Sequence, residues 1–438
     1  MGIDSWFPTI NAWLNSSAHV IRESNLRVDG VTPANVIIID LTALIYKAIP
    51  GMNDPNKTKR PREFADKVVS LCPKRITCKL YVYICDNYRA PNFIRSEIVS
   101  ATRPKLNPYE GEVMAVTDDG VEVKVAGKRK SMDMVDLSRL LSTKGGKRAF
   151  LVYVEANLRK HAQPTTLFMM NEDSPRAEAD TGIIVALKRL KFDDEHKKKP
   201  IVLVKTDDSD VAFLILFHLK DALVNGEMSV FFDRGNPRRD GAQVTEFWNL
   251  SKLALEVYGK KGWSSDMLLF ASVLCGTDLV SKTSIAPRIS QGKIFERIDK
   301  HKASLRGHGQ LIELLESSVS FSKFLWEVVG VEIDSAQLVR VVNPETAGSP
   351  LDRALANASL TPFDSVCLQV VYWVSLVDPP VNPKKEAADG HREEKEDPAP
   401  TRVGPKKEDP LTRPSFYSSS SSFSSSPPDS DIMEPFWK

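Results

Sequence analysis

Aspartates follow a short apolar run in the middle of the chain, where residues 201–204 (IVLV) lead into KTDDSD. A run without polar alternation predicts a strand buried on both faces, and open parallel sheets place their sites at the carboxyl ends of such strands. A single aspartate there could simply cap the following helix. Asp207, Asp208 and Asp210 together repel one another unless cations lie between them, so a metal site is the alternative to capping.

Other carboxylates follow other predicted elements. Asp40 ends the apolar run VIII, and Asp86 ends LYVYIC. Glu178 and Asp180 fall in the first turn of a helix predicted to begin near Pro175, and Asp278 follows a predicted buried helix that starts near Ser265 and ends at Cys275 and Gly276. Helix capping is the alternative role for Asp40, and a favourable interaction with the helix dipole is the alternative for the pair at 178 and 180.

These carboxylates lie at the ends of at least five predicted strands and helices, and we expect most of those ends to face the same crevice. The candidate metal ligands are Asp40, Asp86, Glu178, Asp180, Asp208, Asp210 and Asp278. Ligation by oxygen alone selects hard cations such as Mg²⁺ or Mn²⁺. Two such ions about 3.5–4 Å apart are the standard arrangement for phosphodiester hydrolysis. Because the set contains no histidine or cysteine, this chemistry needs no covalent nucleophile.

Basic residues cluster after Asp86. Arg89, Arg95, Arg103 and Lys105 have only Glu97 among them as an acidic partner. This excess favours phosphate contacts over an ordinary exposed helix, which would interleave charges of both signs. Further along, residues 281–288 (SKTSIAPR) could hold a phosphate backbone through Lys282 and Arg288, or could form a helix-joining loop without a ligand.

Composition limits the class of protein. The chain has 438 residues and a formal charge of +2, so any binding of polyanions must come from local patches. Its 5 cysteines are scattered without paired spacing, which argues against a disulfide framework or a zinc site and favours a reducing compartment. No apolar run of about 18 residues and no leader sequence is present, so we expect an intracellular protein without a membrane contact.

The pattern changes in the second hundred residues. Residues 112–125 alternate in polarity around Asp119 and Gly120, which predicts a hairpin. We take 111–148 as an inserted hairpin and basic region, either a substrate-facing arm or a surface elaboration. Residues 149–154 predict another strand. Residues 281–378 are helical in character, and 379–438 are rich in Pro, Lys, Glu and Ser, which predicts disorder.

Several motifs occur in an order that resembles one family. MGI at the start, VIIIDLTALIY, ICDNYRAP, SPRAEAD, KTDDSD and CGTDL resemble, over about residues 1–300, the flap endonuclease and XPG family of structure-specific 5′ nucleases. The resemblance implies an α/β, PIN-like fold with a central mostly parallel sheet flanked by helices, a helical C-terminal part and a disordered tail. It also implies nuclease blocks over 1–110 and 149–280, with a DNA-binding part over 281–378.

The resemblance assigns roles position by position. The seven carboxylates become ligands of two Mg²⁺ ions, which Mn²⁺ could replace, or residues supporting those ligands. Arg95 and Arg103 become the residues that steer the scissile phosphate, and Gly2 packs near the substrate junction. Asp207 has an acidic counterpart but is the weakest ligand candidate.

The chain departs from the family pattern in three places. Alternation replaces the helical arch, so threading of a 5′ end does not carry over. The motif SIAPR lacks both glycines of the family's helix–turn–helix signature, which weakens the expectation of a K⁺-assisted grip on duplex DNA. The acidic pair is Glu-Ala-Asp rather than Glu-Ala-Glu, which shortens its reach.

The resemblance implies a Mg²⁺-dependent nuclease that cuts DNA at 5′ flaps, nicks or gaps in replication, repair or recombination. Met433, Phe436 and Trp437 resemble the apolar positions of a sliding-clamp peptide. A nucleus or a site of DNA replication is the expected location, and the layout is compatible with a large DNA virus. Two alternatives stay open: a PIN-like endoribonuclease that degrades mRNA, since two-metal cleavage needs only the phosphate, and a non-catalytic scaffold.

Overall fold

A computed structural model of the chain describes residues 6–374, except for 23–33, 49–57, 73–77, 87–97, 99–100, 103–108, 110, 161–165, 171–177, 191–198, 207, 234–237, 240–241, 244–245, 287, 306–312 and 348. The described residues belong to one compact unit, Met1–Pro379. The tail predicted to be disordered lies outside the described residues.

A seven-stranded sheet forms the centre of this unit, with strand order β1-β14-β11-β10-β2-β4-β9. Its strands are β1 (Val20–Arg22), β2 (Ala34–Asp40), β4 (Cys78–Cys85), β9 (Thr166–Met170), β10 (Ile201–Lys205), β11 (Ser229–Asp233) and β14 (Glu246–Asn249). The five strands from β11 to β9 are parallel, and β14 and β1 add an antiparallel edge. Short pairs are formed by β3 (Thr58–Lys59) with β8 (Val135–Asp136), and by β12 (Arg238–Arg239) with β13 (Ala242–Gln243).

Helices make up most of the remaining described chain. They are α1 (Trp6–Leu14), α2 (Leu41–Ala48), α3 (Pro61–Leu71), α4 (Leu137–Leu140), α5 (Lys144–Lys160), α6 (Ala179–Arg189), α7 (Ser209–His218), α8 (Lys220–Val224), α9 (Leu250–Ala254), α10 (Ser265–Leu274), α11 (Lys282–Ile285), α12 (Gln291–Lys300), α13 (Ser318–Phe324), α14 (Ser335–Leu338), α15 (Pro350–Asn357) and α16 (Pro362–Val374). Leu255–Lys260 and Leu325–Val329 are π-helical, and Leu314–Glu316 is a 3₁₀ turn.

Both faces of the sheet are covered. Strand β2 lies at its middle, and Ile37, Ile38 and Ile39 are fully buried there. Successive side chains of a strand point to opposite faces. Ile37 and Ile39 pack into a core shared with α2, α3 and α5, whereas Ile38 faces the other side, where α6 contacts β2 and β4. The unbroken apolar sequence of these strands follows from this double coverage.

Residues 112–132 form an antiparallel meander that shares this core. The predicted hairpin is present as β5 (Glu112–Val116) and β6 (Val121–Val125), and a third strand, β7 (Lys128–Met132), extends it. Val121 and Val123 are buried in the same cluster as the helices on that face of the sheet.

The strand predicted over residues 149–154 is wrong, because these residues lie within α5. Phe150, Leu151, Val154 and Leu158 are buried at helical spacing, so a helical period over a longer window decides the structure of this apolar stretch. The predicted fold class, α/β with a mostly parallel central sheet flanked by helices and followed by helices, is confirmed. In the described part of the chain, no helix is long and apolar enough to span a membrane.

Candidate metal centre

The carboxyl ends of three neighbouring parallel strands bring three aspartates to one edge of the sheet. Asp40 ends β2 and is paired with Ile84 of β4, two residues before Asp86. Strand β10 runs parallel to β2 on its other side, and Asp208 follows β10 after a short turn. The parallel register therefore explains why aspartates far apart in sequence share one edge.

Asp40 is the most buried of the three, with 7% of its surface exposed. Its Oδ1 accepts a hydrogen bond of 2.9 Å from the backbone N–H of Ala43, and its Oδ2 accepts one of 3.0 Å from the hydroxyl of Thr206. Burial, together with the charges of Asp86 and Asp208, raises the pKa of Asp40 to about 7 against the opposing effect of these two hydrogen bonds. The carboxylate is thus held in an environment that a cation would stabilise.

Asp40 and Asp208 both cap helices and lie at the candidate site. Asp40 bonds the first turn of α2 through one oxygen only. Asp208 is the N-cap of α7, and its Oδ1 accepts a hydrogen bond of 2.9 Å from the N–H of Asp210, which is fully buried in the first turn. Capping, the alternative explanation for these aspartates, is therefore correct for one oxygen of each.

Asp86 connects the sheet edge to the acidic pair on α6. Its Oδ1 accepts a hydrogen bond of 2.9 Å from the N–H of Ala179, the first residue of that helix. Its own N–H donates to the hydroxyl of Thr42 on α2 at 3.0 Å. The carboxylate therefore fixes the start of α6, and with it Glu178 and Asp180, next to the end of β4.

Glu178 and Asp180 share a partner that the sequence did not indicate. Glu178 is the N-cap residue of α6, but its side chain makes no capping hydrogen bond. Instead the hydroxyl of Tyr372 donates a hydrogen bond to Glu178 Oε2 and lies 3.5 Å from Asp180 Oδ2. Tyr372 lies on α16, 194 positions after Glu178, so no local sequence signal could have identified this contact.

The turn that holds Asp278 is joined to the same helix. Asp278 is half-buried, and the hydroxyl of its neighbour Thr277 donates to Gln369 Oε1 at 2.7 Å. Gln369 and Tyr372 are three residues apart on α16, so they lie on the same side of that helix. One helix therefore contacts both the acidic pair of α6 and the turn after α10.

The donor set suits a hard divalent cation, since every candidate is a carboxylate and Asp40 is buried beside two others. Among the residues that the structure describes, however, no group of three or more His, Cys, Asp or Glu is arranged to hold a metal ion. Mg²⁺ is commonly bound by one or two carboxylates, with water and substrate phosphate completing its coordination. The paired arrangement of these side chains is compatible with that mode of binding.

Comparison with solved structures finds similar folds, whereas comparison of sequences finds no match. No protein-family model matches the chain, and no curated protein matches it. The fold is similar to the crystal structure of the bacteriophage T5 flap endonuclease, a pseudo-enzyme–product complex with DNA and metal ions. The TM-score is 0.35 and the sequence identity is 13%, and the alignment covers 81% of this chain and 97% of that one.

The segment predicted either to bind phosphate or to join helices forms α11 and the turn after it. Lys282 Nζ lies 3.4 Å from the carbonyl oxygen of Ala286, and Arg288 is exposed. The hydroxyl of Ser284 donates to Asp352 at 2.6 Å, which ties α11 to α15. At least one hydroxyl of this segment therefore serves the fold, and the exposed guanidinium of Arg288 is accessible to a phosphate.

The remaining predicted site residues lie outside the described part of the chain. They are Gly2, Arg89, Arg95, Arg103, Lys105 and Asp207, together with Met433, Phe436 and Trp437 of the expected clamp peptide. Their proposed roles stay predictions.

Proposed function

We propose that the protein is a nuclease that uses divalent cations, with Mg²⁺ as the expected ion, to hydrolyse phosphodiester bonds in DNA. The observation that carries this proposal is the buried carboxylate of Asp40, whose pKa is raised by burial and by the charges of Asp86 and Asp208 at one edge of the sheet. A nuclease of this kind needs carboxylates at one place that can bind cations beside the phosphate. An aspartate with only a structural role is more stable when it is exposed or paired with a basic residue.

Each carboxylate has a distinct part in this proposal. Asp40, Asp86 and Asp208 would hold cations at the ends of the strands, and Glu178, Asp180, Asp210 and Asp278 would complete or support their coordination. When bound, a pair of cations supplies the activation of water and the neutralisation of phosphate charge that the hydrolysis requires. The hydroxyls of Thr42 and Thr206 fix the aspartates, so the protein contributes a rigid arrangement of negative charge.

The meander supplies a surface for a polyanion. Lys128, Arg129 and Lys130 are exposed on β7, and Arg129 lies directly opposite Lys124 on β6. Like charges directly opposite one another in a sheet are destabilising; Glu112, opposite Lys124 on β5, offsets part of this repulsion, and a bound phosphate backbone would reduce the rest. This surface favours the substrate-facing role of the meander over a plain surface elaboration.

The order of the acidic motifs favours DNA with a 5′ flap, nick or gap as the substrate, in replication, repair or recombination. Contact with a sliding clamp through Met433, Phe436 and Trp437 and a location at sites of DNA replication belong to the same proposal. Cleavage of RNA uses the same phosphate chemistry and is separated from it by experiment.

A cleavage assay in Mg²⁺ tests the proposal, with a 5′-flap DNA, a nicked duplex and a single-stranded RNA of matched sequence. The variant Asp208→Asn removes the charge but keeps an amide oxygen that caps α7, because asparagine is as good an N-cap as aspartate. We expect preferential cutting of the flap or nick, which this variant loses.

The matched control is Asp334→Asn. Asp334 is an exposed N-cap that accepts a hydrogen bond of 3.1 Å from the N–H of Ala336 on α14. This variant undergoes the same chemical change at the start of another helix and should cut like the wild type. Preference for RNA would assign the protein to RNA turnover, and full activity of Asp208→Asn would refute the site. Absence of cutting on all three substrates would favour a non-catalytic scaffold.

A further inference from the structure

Tyr372, on the C-terminal helix α16, contacts two of the candidate metal ligands directly. Its phenol oxygen contacts Glu178 Oε2 and lies 3.5 Å from Asp180 Oδ2. The side chain is half-buried, so the ring is packed while the hydroxyl lies at the acidic pair. A phenol at neutral pH is a hydrogen-bond donor, which is the group that two neighbouring carboxylates require.

Contacts on either side of Tyr372 hold α16 in place. The ring of Trp373 packs against Phe213 of α7 with centroids 4.4 Å apart, and its carbonyl oxygen lies 2.7 Å from Nε2 of His218 at the end of the same helix. Gln369 accepts a hydrogen bond from the hydroxyl of Thr277, which lies in the turn after α10. Helix α16 therefore packs against α7, which begins at Asp208 and Asp210, and is hydrogen-bonded to the turn after α10 that contains Asp278. These contacts fix the position of Tyr372.

Outer hydrogen bonds of this kind orient the ligands of a metal ion. A carboxylate whose one oxygen is held by a donor presents its other oxygen in a fixed direction, and loss of such a donor typically lowers metal affinity about 10- to 100-fold. Here the donor contacts Oε2 of Glu178, so loss of the Tyr372 hydroxyl would leave the direction of that carboxylate less fixed. The donor also reduces the repulsion between Glu178 and Asp180.

We infer that Tyr372 is a positioning residue of the metal centre, and that α16 belongs functionally to this centre rather than only to a DNA-binding region. The inference rests on the proposed function, because it requires that the acidic pair binds a divalent cation. It makes the C-terminal helix a condition for tight metal binding, although α16 itself carries none of the candidate ligands.

Calorimetric titration of the full chain with Mg²⁺, and with Mn²⁺ in parallel, tests this inference without nucleic acid. Tyr372→Phe removes only the hydroxyl. We expect the Kd for the cation to rise about 10- to 100-fold, while the unfolding midpoint of the metal-free protein in urea changes little. In a cleavage assay the Mg²⁺ concentration for half-maximal rate should rise by a similar factor, and the rate at saturating Mg²⁺ should approach that of the wild type.

The control is Tyr258→Phe, since the Tyr258 hydroxyl donates to the carbonyl of Leu216 at 2.9 Å in a buried position. This variant should lose stability but keep the Kd of the wild type for Mg²⁺. A purely structural role of Tyr372 predicts the same pattern for Tyr372→Phe, and that result would overturn the inference. If Tyr372→Phe does not fold, Tyr372→His replaces it, because histidine keeps a ring with an N–H donor.

A folded Tyr372→His variant with a Kd within about threefold of the wild type supports the donor role, and one that binds Mg²⁺ at least tenfold more weakly overturns it. The two proposals fail in different ways. If the wild-type chain binds neither cation, the proposed function fails and the positioning role with it. If the wild type binds cations and Tyr372→Phe binds them equally well, only the positioning role fails.

Discussion

Lys205 Nζ lies 2.5 Å from Oδ2 of Asp233, which joins β10 to its parallel neighbour β11 one residue before Thr206. Asp233 is 3% exposed. Loss of one member of a buried ion pair leaves the other charge without compensation, so we expect Lys205→Met to lower the free energy of unfolding by about 3 kcal/mol.

Urea unfolding measures this effect. The double variant Lys205→Met/Asp233→Leu should recover most of the loss, because it removes both charges and fills the space with apolar groups. Equal stability of Lys205→Met and the wild type would show that the pair does not support this part of the sheet.

Asp40 should make the stability of the metal-free protein dependent on pH. Its pKa in the folded state is about 7, above the value of 3.8 for an ordinary aspartate. The folded state therefore binds more protons than the unfolded state between these values, and stability is lost as the pH rises through this interval. With EDTA present, Asp40→Asn should remove this loss, on the order of a few kcal/mol between about pH 4 and pH 7.

Urea unfolding of the wild type and Asp40→Asn at the two ends of this interval provides the measurement. Adding Mg²⁺ at the higher pH should stabilise the wild type but have little effect on the variant. Parallel pH profiles for the two proteins would contradict the assignment of the raised pKa to this carboxylate.

His218 gives a pH dependence of the opposite sign. Burial lowers its pKa to about 4, against the hydrogen bond to the carbonyl of Trp373 and with a small contribution from Lys188. The unfolded state then binds more protons between pH 4 and the ordinary value of 6.5, so stability falls as the pH drops through that interval. Because the ring is partly exposed, we expect a loss of only about 1–2 kcal/mol.

The variant His218→Gln keeps a donor for the same carbonyl but does not titrate. Its unfolding free energy should exceed that of the wild type near pH 4 by about this amount and match it near neutrality. A difference that is independent of pH would mean that His218 acts through packing alone.

The exposed basic strand of the meander should determine part of the salt dependence of DNA binding. Neutralisation of Lys128, Arg129 and Lys130 by glutamine removes up to three phosphate contacts, each of which contributes about 0.9 to the slope of log K against log salt concentration. Since Arg129 faces away from Lys128 and Lys130, we expect weaker binding and a slope reduced by about 1–2, measured in EDTA so that no cleavage occurs.

The control variant for this measurement is Lys323→Gln. Lys323 is exposed and lies 3.7 Å from Glu327 one helical turn away, so its charge is already partly compensated. An unchanged slope for the triple variant would show that the meander does not contact the substrate.

The strand ends of the site could be predicted from sequence because β2, β4 and β10 are unbroken apolar runs that end abruptly. Their carboxyl ends must meet at one sheet edge once the strands are parallel, and this places Asp40, Asp86 and Asp208 without further information. The same reasoning gave the wrong structure for residues 149–154. A short apolar run fits a strand as well as a buried helix, and only the helical spacing of the buried residues along the whole of α5 distinguishes the two.

The hydrogen-bond partners of the acidic residues, through side chain or backbone, could not be predicted. Thr42 and Thr206 are ordinary residues at the ends of elements, and their roles depend on the register between strands. Tyr372 reaches Glu178 from a helix that packs on α7 and α10, and nothing within the helix itself marks that contact. Tertiary packing, rather than local pattern, determines which donors surround the acidic residues.

The order in which a ribosome makes this chain has a consequence for when the protein can work. Strand β1 pairs with β14, which is synthesised more than two hundred residues later, and the hydroxyl that contacts Glu178 emerges only with α16. Six of the seven candidate carboxylates precede β14 in the chain, and all seven precede α16, which carries the Tyr372 hydroxyl. A nascent chain that lacks α16 carries the acidic residues without the hydroxyl of Tyr372, so the proposed metal centre is complete only after α16 has been made.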